Sequence, residues 1–312
     1  MSEAAGATSG EAIGVPRALY PFDGRFFENA GQRQHYLDEG EGPPLLMVHG
    51  NPTWSFYYRR LVLGLRDTHR CLVPDHIGCG LSAKPRDADY SYRFERRVDD
   101  LERWVDSLRA GSPGVAPLGP MTLVAHDWGG MIGLALAVRR PELFSRFVLF
   151  NTAGFHNPTG KKLPFTLKLV RETPLGAAMV WGLNAFAVGA TYMAVRRPLP
   201  AAVRRAYTAP YARRADRIAT LRFVQDIPMK PEDPGFDLVT RTEAGLAGLA
   251  DRPAAIFWGA KDFVFDDEFL ARWRVLWPHA SVTRFPDAGH YVLEDAFDEI
   301  LPAVRRFLEE SA

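Results

Sequence analysis

Cysteine is almost missing: Cys71 and Cys79 are the only two in 312 residues, and neither stands in a CxxC or metal-ligand spacing. That argues against a disulfide framework and a zinc site, and it makes a reducing cytoplasm the expected compartment. An excess of one charge sign is missing too, since the formal net charge is +1 with lysine and arginine scattered along the chain, so nothing directs it to nucleic acid. The opening "MSEAAGATSGEAIGVPRA" has neither the basic start nor the apolar core of a secretory signal, and residues 1–19 read as a flexible leader. There are no internal repeats or low-complexity tracts. Long apolar runs are absent with one exception, Thr173 to Val195, which holds no charge and is long enough to span a bilayer. Gly176, Gly182, Gly189 and Asn184 dilute it, so we read it as part of a helical cap over an apolar pocket. Its outer face then offers a surface for self-association, for a multi-enzyme assembly or for peripheral membrane contact.

What is present is a globular composition, 47% hydrophobic and 24% charged. Short apolar runs bounded by turn residues recur at Pro44–His49, Arg70–Asp75, Met121–His126, Arg146–Asn151 and Ala254–Gly259. Continuous apolar strands are buried on both faces, which is the mark of a parallel sheet between helices. Arg25 to Gly40 reads as an antiparallel hairpin at the sheet edge. Helical patterns follow at Thr53–Gly64, Phe94–Arg109, Trp128–Val138, Asp266–Trp277 and Ala296–Glu309. The alternation breaks from Phe155 to Gly235, where no strand is evident. Residues 20–154 and 236–312 therefore form the expected core domain, and 155–235 a helical cap over the carboxyl ends of the strands, where open α/β sheets bind ligands.

In "MTLVAHDWGG" a buried strand meets a helix at Asp127, and the small residues Ala125 and Gly129 allow a sharp turn. That is the pattern of a nucleophile elbow with aspartate at its tip. "VHGNPTW" ends an earlier strand and would bring the backbone N–H of Asn51 beside the elbow, forming an oxyanion hole with that of Trp128. "FWGAKDFVF" sets Asp262 three residues beyond a strand-ending glycine, and "DAGHYVLED" carries His290 in a loop before the last helix. Nucleophile, acid and histidine in that order are the chain order of an α/β-hydrolase triad.

From Tyr20 onward, through "HGNPTWSFYYR", "PDHIGCGLSAKP", "AHDWGG", "WGAKDFVFD" and "DAGHYVLED", the chain resembles the haloalkane dehalogenases of the α/β-hydrolase superfamily. The resemblance implies the α/β-hydrolase fold, with a mostly parallel eight-stranded sheet flanked by helices and a helical cap. It implies Asp127 as nucleophile, His290 as base, Asp262 as its partner and Asn51 with Trp128 as halide-stabilising donors. An acid after the seventh strand, with asparagine in place of a second tryptophan, is the pattern of the third subfamily, which also includes β-lactone decarboxylases of bacterial olefin biosynthesis.

The residue types suit that chemistry. A carboxylate attacking an ester makes an anhydride that falls back, whereas at a saturated carbon with a good leaving group it displaces in line. The leading expectation is therefore haloalkane hydrolysis to alcohol and halide, the alkyl ester on Asp127 being cleaved by water that His290 activates. The alternative is loss of CO₂ from a long-chain cis-β-lactone by the same residues. Epoxide hydrolysis is a lesser alternative, needing cap tyrosines such as Tyr192, Tyr207 or Tyr211. No metal or organic cofactor is called for. His49 and His126 read as structural, as do Asp75 and His76. Phe155, Phe165, Trp181, Phe186, Tyr192, Met193 and Phe223 are candidates to line a pocket for a small apolar substrate.

Overall fold

The computed structural model describes residues 9–111, 118–158 and 160–311. Eight strands form one sheet: β1 (Arg25–Asn29), β2 (Gln32–Glu39), β3 (Pro44–Val48), β4 (Arg70–Pro74), β5 (Met121–His126), β6 (Phe144–Phe150), β7 (Ala254–Gly259) and β8 (Ser281–Phe285). Their order is β1-β2-β4-β3-β5-β6-β7-β8, with β2 antiparallel to both neighbours and every other pairing parallel. This is the mostly parallel eight-stranded sheet expected from the sequence. β5 and β7 are buried at every position, as strands covered on both faces must be. β8 left no apolar run to read, because as an edge strand it exposes Ser281, Thr283 and Arg284.

Twelve helices accompany the sheet among the described residues. In chain order they begin with α1 (Arg59–Leu65), α2 (Phe94–Arg109) and α3 (Trp128–Arg139). The first five of the six that follow between β6 and β7 are α4 (Phe165–Glu172), α5 (Pro174–Leu183), α6 (Ala185–Met193), α7 (Ala201–Thr208) and α8 (Ile218–Gln225). The rest are α9 (Phe236–Gly245), α10 (Asp267–Leu276), α11 (Val292–Asp295) and α12 (Phe297–Glu310). One face of the sheet packs on α2, α3, α9 and α10 through Trp104, Ile132, Val239 and Trp273, and the other on α1 and α12 through Leu61, Ile300 and Val304. Helices α4, α5 and α8 share a small core of their own around Leu167, Val170, Val180 and Leu221.

β3 has β4 on one side and β5 on the other, so the chain leaves it in opposite directions and a crevice opens at the carboxyl ends. Val48 pairs with Ala125, which sets the loop after β3 beside the turn after β5.

One expectation changes, and the charge-free run takes the helical form read for it. Residues 1–8 of the expected flexible leader lie outside the described residues, and the remainder is mostly exposed but anchored at two points: Val15 is fully buried and Gly24 N–H donates to Ser9 Oγ at 2.8 Å. Apolar Val15 gains more by entering the core than a free end would keep in entropy. The charge-free run divides at Asn184, whose φ of +55° ends α5, and α5 and α6 meet at 85°. Among the described residues no single helix is long and apolar enough to cross a membrane.

Candidate active site

Asp127 tips the turn from β5 into α3 with φ +52° and ψ −130°, a conformation that costs a residue with a Cβ of order 1–3 kcal/mol. The surroundings enforce it. Asp127 N–H donates to Asn151 O at 3.1 Å and Thr152 Oγ1 donates to Asp127 O at 2.6 Å. Glycine is required on both sides of the crevice: a Cβ on Gly129 would stand 1.9 Å from Val48 O, and one on Gly50 would stand 2.2 Å from Asp127 Oδ1.

The carboxylate is buried, and two neighbouring backbone groups receive it. Asn51 N–H donates to Oδ1 at 2.8 Å, and the N–H of Trp128 adds a second hydrogen bond. On its other side His290 Nε2 lies 3.5 Å from Asp127 Oδ2, while His290 Nδ1 is 2.7 Å from Asp262 Oδ2. Asp262 is held by Val264 N–H at 2.7 Å. Burial alone would raise the Asp127 pKa, but the hydrogen bond and charge of His290 outweigh it and keep the group ionised below the usual carboxylate range. Burial likewise pulls His290 down, yet the charge of Asp262 and the hydrogen bond that the ring donates to Asp127 hold it up at about 10. In the resting site the imidazole is therefore a cation between two carboxylates.

The indole of Trp128 packs edge-on between Phe94 and Phe223, with centroids 5.6 and 5.4 Å away, and its N–H meets no acceptor among the described residues. Asn51 Nδ2 donates to Thr220 O at 3.1 Å, and its buried Oδ1 has no partner among the described residues. The remaining polar groups build the frame. Asp75 accepts from Ser55 N–H at 2.7 Å and Leu81 N–H at 2.9 Å and pairs with His35; His76 N–H donates to His49 Nε2; His126 Nε2 donates to His290 O at 2.9 Å. Burial lowers the His126 pKa to about 3, so its ring is neutral.

Two side chains escaped sequence reasoning. Asp295 accepts from Gly289 N–H at 2.7 Å and from the N–H groups of Arg196 and Arg197, tying the His290 loop to the end of α6. Asn151 clamps Gly259 through both its amide atoms, fixing the start of the Asp262 loop. Their signal was faint, a carboxylate five residues past the histidine and an asparagine ending a strand.

Asp127, Trp128, Asn51 and His290 all line one cavity of about 330 Å³, within the usual range for small-molecule sites. Its walls are mainly apolar, including Phe155, Leu167, Val180, Phe186, Met193 and Val264. The other candidates lie elsewhere. Phe165, Trp181 and Tyr192 point outward from α4, α5 and α6 at 77%, 45% and 62% exposure. Phe223 is wholly buried behind Trp128, so it backs the wall instead of forming it. None of Tyr192, Tyr207 and Tyr211 lines the cavity, which removes the acids an epoxide would need from the cap. Among the described residues no group of three or more His, Cys, Asp or Glu side chains is placed to hold a metal ion.

Residues 43–297 match the family model described as the alpha/beta hydrolase fold. The chain is 50% identical to the cis-3-alkyl-4-alkyloxetan-2-one decarboxylase of Shewanella oneidensis over 94% of its own length and 90% of that protein. It is 32% identical to haloalkane dehalogenase 2 of Mycobacterium tuberculosis, covering 92% and 95% of the two chains. Among solved structures, haloalkane dehalogenase DbeA from Bradyrhizobium elkani superposes with a TM-score of 0.80 at 28% identity, over 92% of this chain and 97% of that one.

Proposed function

The chain belongs to the α/β-hydrolase fold family and is of the haloalkane dehalogenase type within it, and from that premise we propose that it removes CO₂ from cis-3,4-dialkyl oxetan-2-ones, with Asp127 as nucleophile. The observation that carries the nucleophile is the ionised Asp127 carboxylate facing an apolar cavity, 3.5 Å from His290. The choice of leaving group rests on the 50% identity to a decarboxylase.

Asp127 attacks the ring carbon that bears the ring oxygen, in line with the C–O bond. That bond breaks, and the ring oxygen leaves as part of a carboxylate that stays attached to the neighbouring carbon. The substrate is now an alkyl ester of Asp127. In the second step the bond from the neighbouring carbon to the carboxylate breaks, and its electrons form the carbon–carbon double bond. The ester C–O bond breaks with them, releasing CO₂, the alkene and the Asp127 carboxylate. Inversion followed by anti elimination turns a cis lactone into a cis alkene. No proton moves, so the His290 cation supports the cycle by its charge, with the N–H groups of Asn51 and Trp128 holding the Asp127 carboxyl group and the Trp128 indole as donor to the substrate's departing carboxylate.

Haloalkane hydrolysis is the second reading, favoured by the unpartnered indole N–H of Trp128, which suits a departing halide. There the ester survives until water attacks it. Once Asp127 is esterified its charge no longer holds the proton on His290, so the imidazole becomes available as a base.

Turnover in H₂¹⁸O separates the two. Decarboxylation leaves Asp127 unlabelled, with CO₂ and cis alkene formed from a cis-β-lactone. Hydrolysis places ¹⁸O in the Asp127 carboxylate, read by peptide mass spectrometry, with bromide released from a bromoalkane. Label at Asp127 together with no CO₂ from the lactone would overturn the decarboxylase assignment in favour of the hydrolase.

A further inference from the structure

The scatter of charge along the chain hides one concentration. Residues 161–217 contain eleven Lys and Arg against Glu172 and Asp216, a net of +9, which leaves −8 for the rest of a chain whose total is +1. Within that basic segment α5 and α6 carry no charge. They turn Leu175, Trp181, Leu183, Val188 and Tyr192 outward, each between 42% and 74% exposed. The opposite faces of the same two helices wall the cavity through Val180, Ala185, Phe186 and Gly189. Cations border the apolar face directly. The Arg214 guanidinium lies 4.1 Å from the Trp181 ring centre and that of Arg204 5.0 Å from Tyr192, while Arg217 donates to the carbonyls of Trp181 and Gly182 at 3.0 and 2.8 Å.

An apolar patch of this kind is not left to water without a partner. Three occupants suit its apolar chemistry: a second copy, another protein and a lipid surface. The charge distinguishes them. A second copy docking by the same face would bring the bordering cations Arg204, Arg214 and Arg217 towards their own counterparts, so like charges oppose that contact. An anionic lipid surface offers both acyl boundary for Leu175 and Leu183 and negative head groups for the arginines, with Trp181 and Tyr192 at the level such rings prefer. Neither helix is long enough to span, and the 85° break suits a pair resting on the surface.

We propose that the outer face of α5 and α6 docks the protein on an anionic lipid surface. A dialkyl substrate dissolved there would then reach the cavity across those two helices. Only this second statement rests on the proposed activity.

The test uses the purified full chain with vesicles of phosphatidylcholine alone or with phosphatidylglycerol at about 30%, a content chosen to give a clear negative surface potential. Co-sedimentation is expected with the anionic vesicles only, weakening several-fold as salt rises from about 0.05 to 0.5 M and the charges are screened. The double substitution Leu175→Glu and Leu183→Glu is expected to cut vesicle binding at least tenfold while turnover of a short-chain soluble substrate is unchanged. Arg204→Glu with Arg214→Glu, which leaves every apolar residue of the face in place, should abolish the preference for anionic lipid. Wild type remaining in the supernatant with both vesicles would overturn the proposal. Self-association without vesicle binding, abolished by the leucine substitutions, would also overturn it and assign the face to a second copy. Vesicle binding with no turnover of any β-lactone would sustain the docking while removing the proposed activity.

Discussion

At the scale of the residue, the proton on His290 governs the site. Its folded-state pKa is near 10 against an ordinary 6.5, because Asp262 and Asp127 together overcome the cost of burying the cation. A pKa raised on folding stabilises fully below the unfolded value and loses that contribution as pH rises through the folded one. The wild type should therefore lose melting temperature between about pH 6.5 and 10 more steeply than His290→Phe, in paired thermal scans across that range. Parallel curves would mean the histidine is not held as a cation. Asp127→Asn keeps the size of the side chain and removes the nucleophile, so turnover should fall by about 10⁴-fold or more. In Trp128→Phe the ring contacts to Phe94 and Phe223 survive while the N–H is lost. One donor aimed at developing charge is worth roughly 10²–10³ in rate, so kcat should drop by that factor with little change in stability.

At the scale of the element, the elbow depends on how closely β3 and α3 approach. Gly129→Ala would place a methyl within the radius of Val48 O, which is backbone and cannot swing aside. A cost of about 2–4 kcal/mol is expected in denaturant titration, with activity lost even where the protein stays folded. The same closeness explains why the turn carries Gly129. Small residues flanking a carboxylate at a strand end also suit a plain helix cap, so Asp127 became legible through Asp262 and His290, which follow it in triad order on strand and loop signals of their own. β3 and β5 to β7 announce themselves as continuous apolar runs, and α2 and α3 fall within a residue of their expected limits. β8 did not, because one exposed edge strand with three polar residues carries no such run. The cavity wall was only half legible, for a different reason. α5 and α6 are apolar on every side, so periodicity cannot say which face meets the pocket and which meets the exterior. Phe186 fell on one side, Trp181 and Tyr192 on the other.

At the scale of the whole molecule, the helices above the crevice must keep a fixed position over the sheet if Phe155 and Phe186 are to face Asp127. One buried cluster joins the two parts. Arg59 at the start of α1 pairs with Glu294 of α11 at 2.5 and 3.0 Å, and Tyr207 of α7 donates to the same carboxylate. Burial would lower the Arg59 pKa, but Glu294 and Tyr207 more than compensate, and the guanidinium stacks 4.0 Å over Phe56. Removing one partner of a buried ion pair strands the other charge, at a cost of about 3–5 kcal/mol, so Glu294→Gln should lower the melting temperature sharply. Tyr207→Phe removes a single hydrogen bond of roughly 1 kcal/mol and should lower it by about 2–4 °C. Because Tyr207 belongs to α7 and α7 packs on α6, the milder variant should also loosen the wall that a long substrate touches. KM for a long-chain substrate is then expected to rise by a larger factor than KM for a short one, with kcat nearly constant for both. An equal rise for the two lengths, or a fall in kcat alone, would mean that the cluster supports the His290 loop and leaves the wall unaffected.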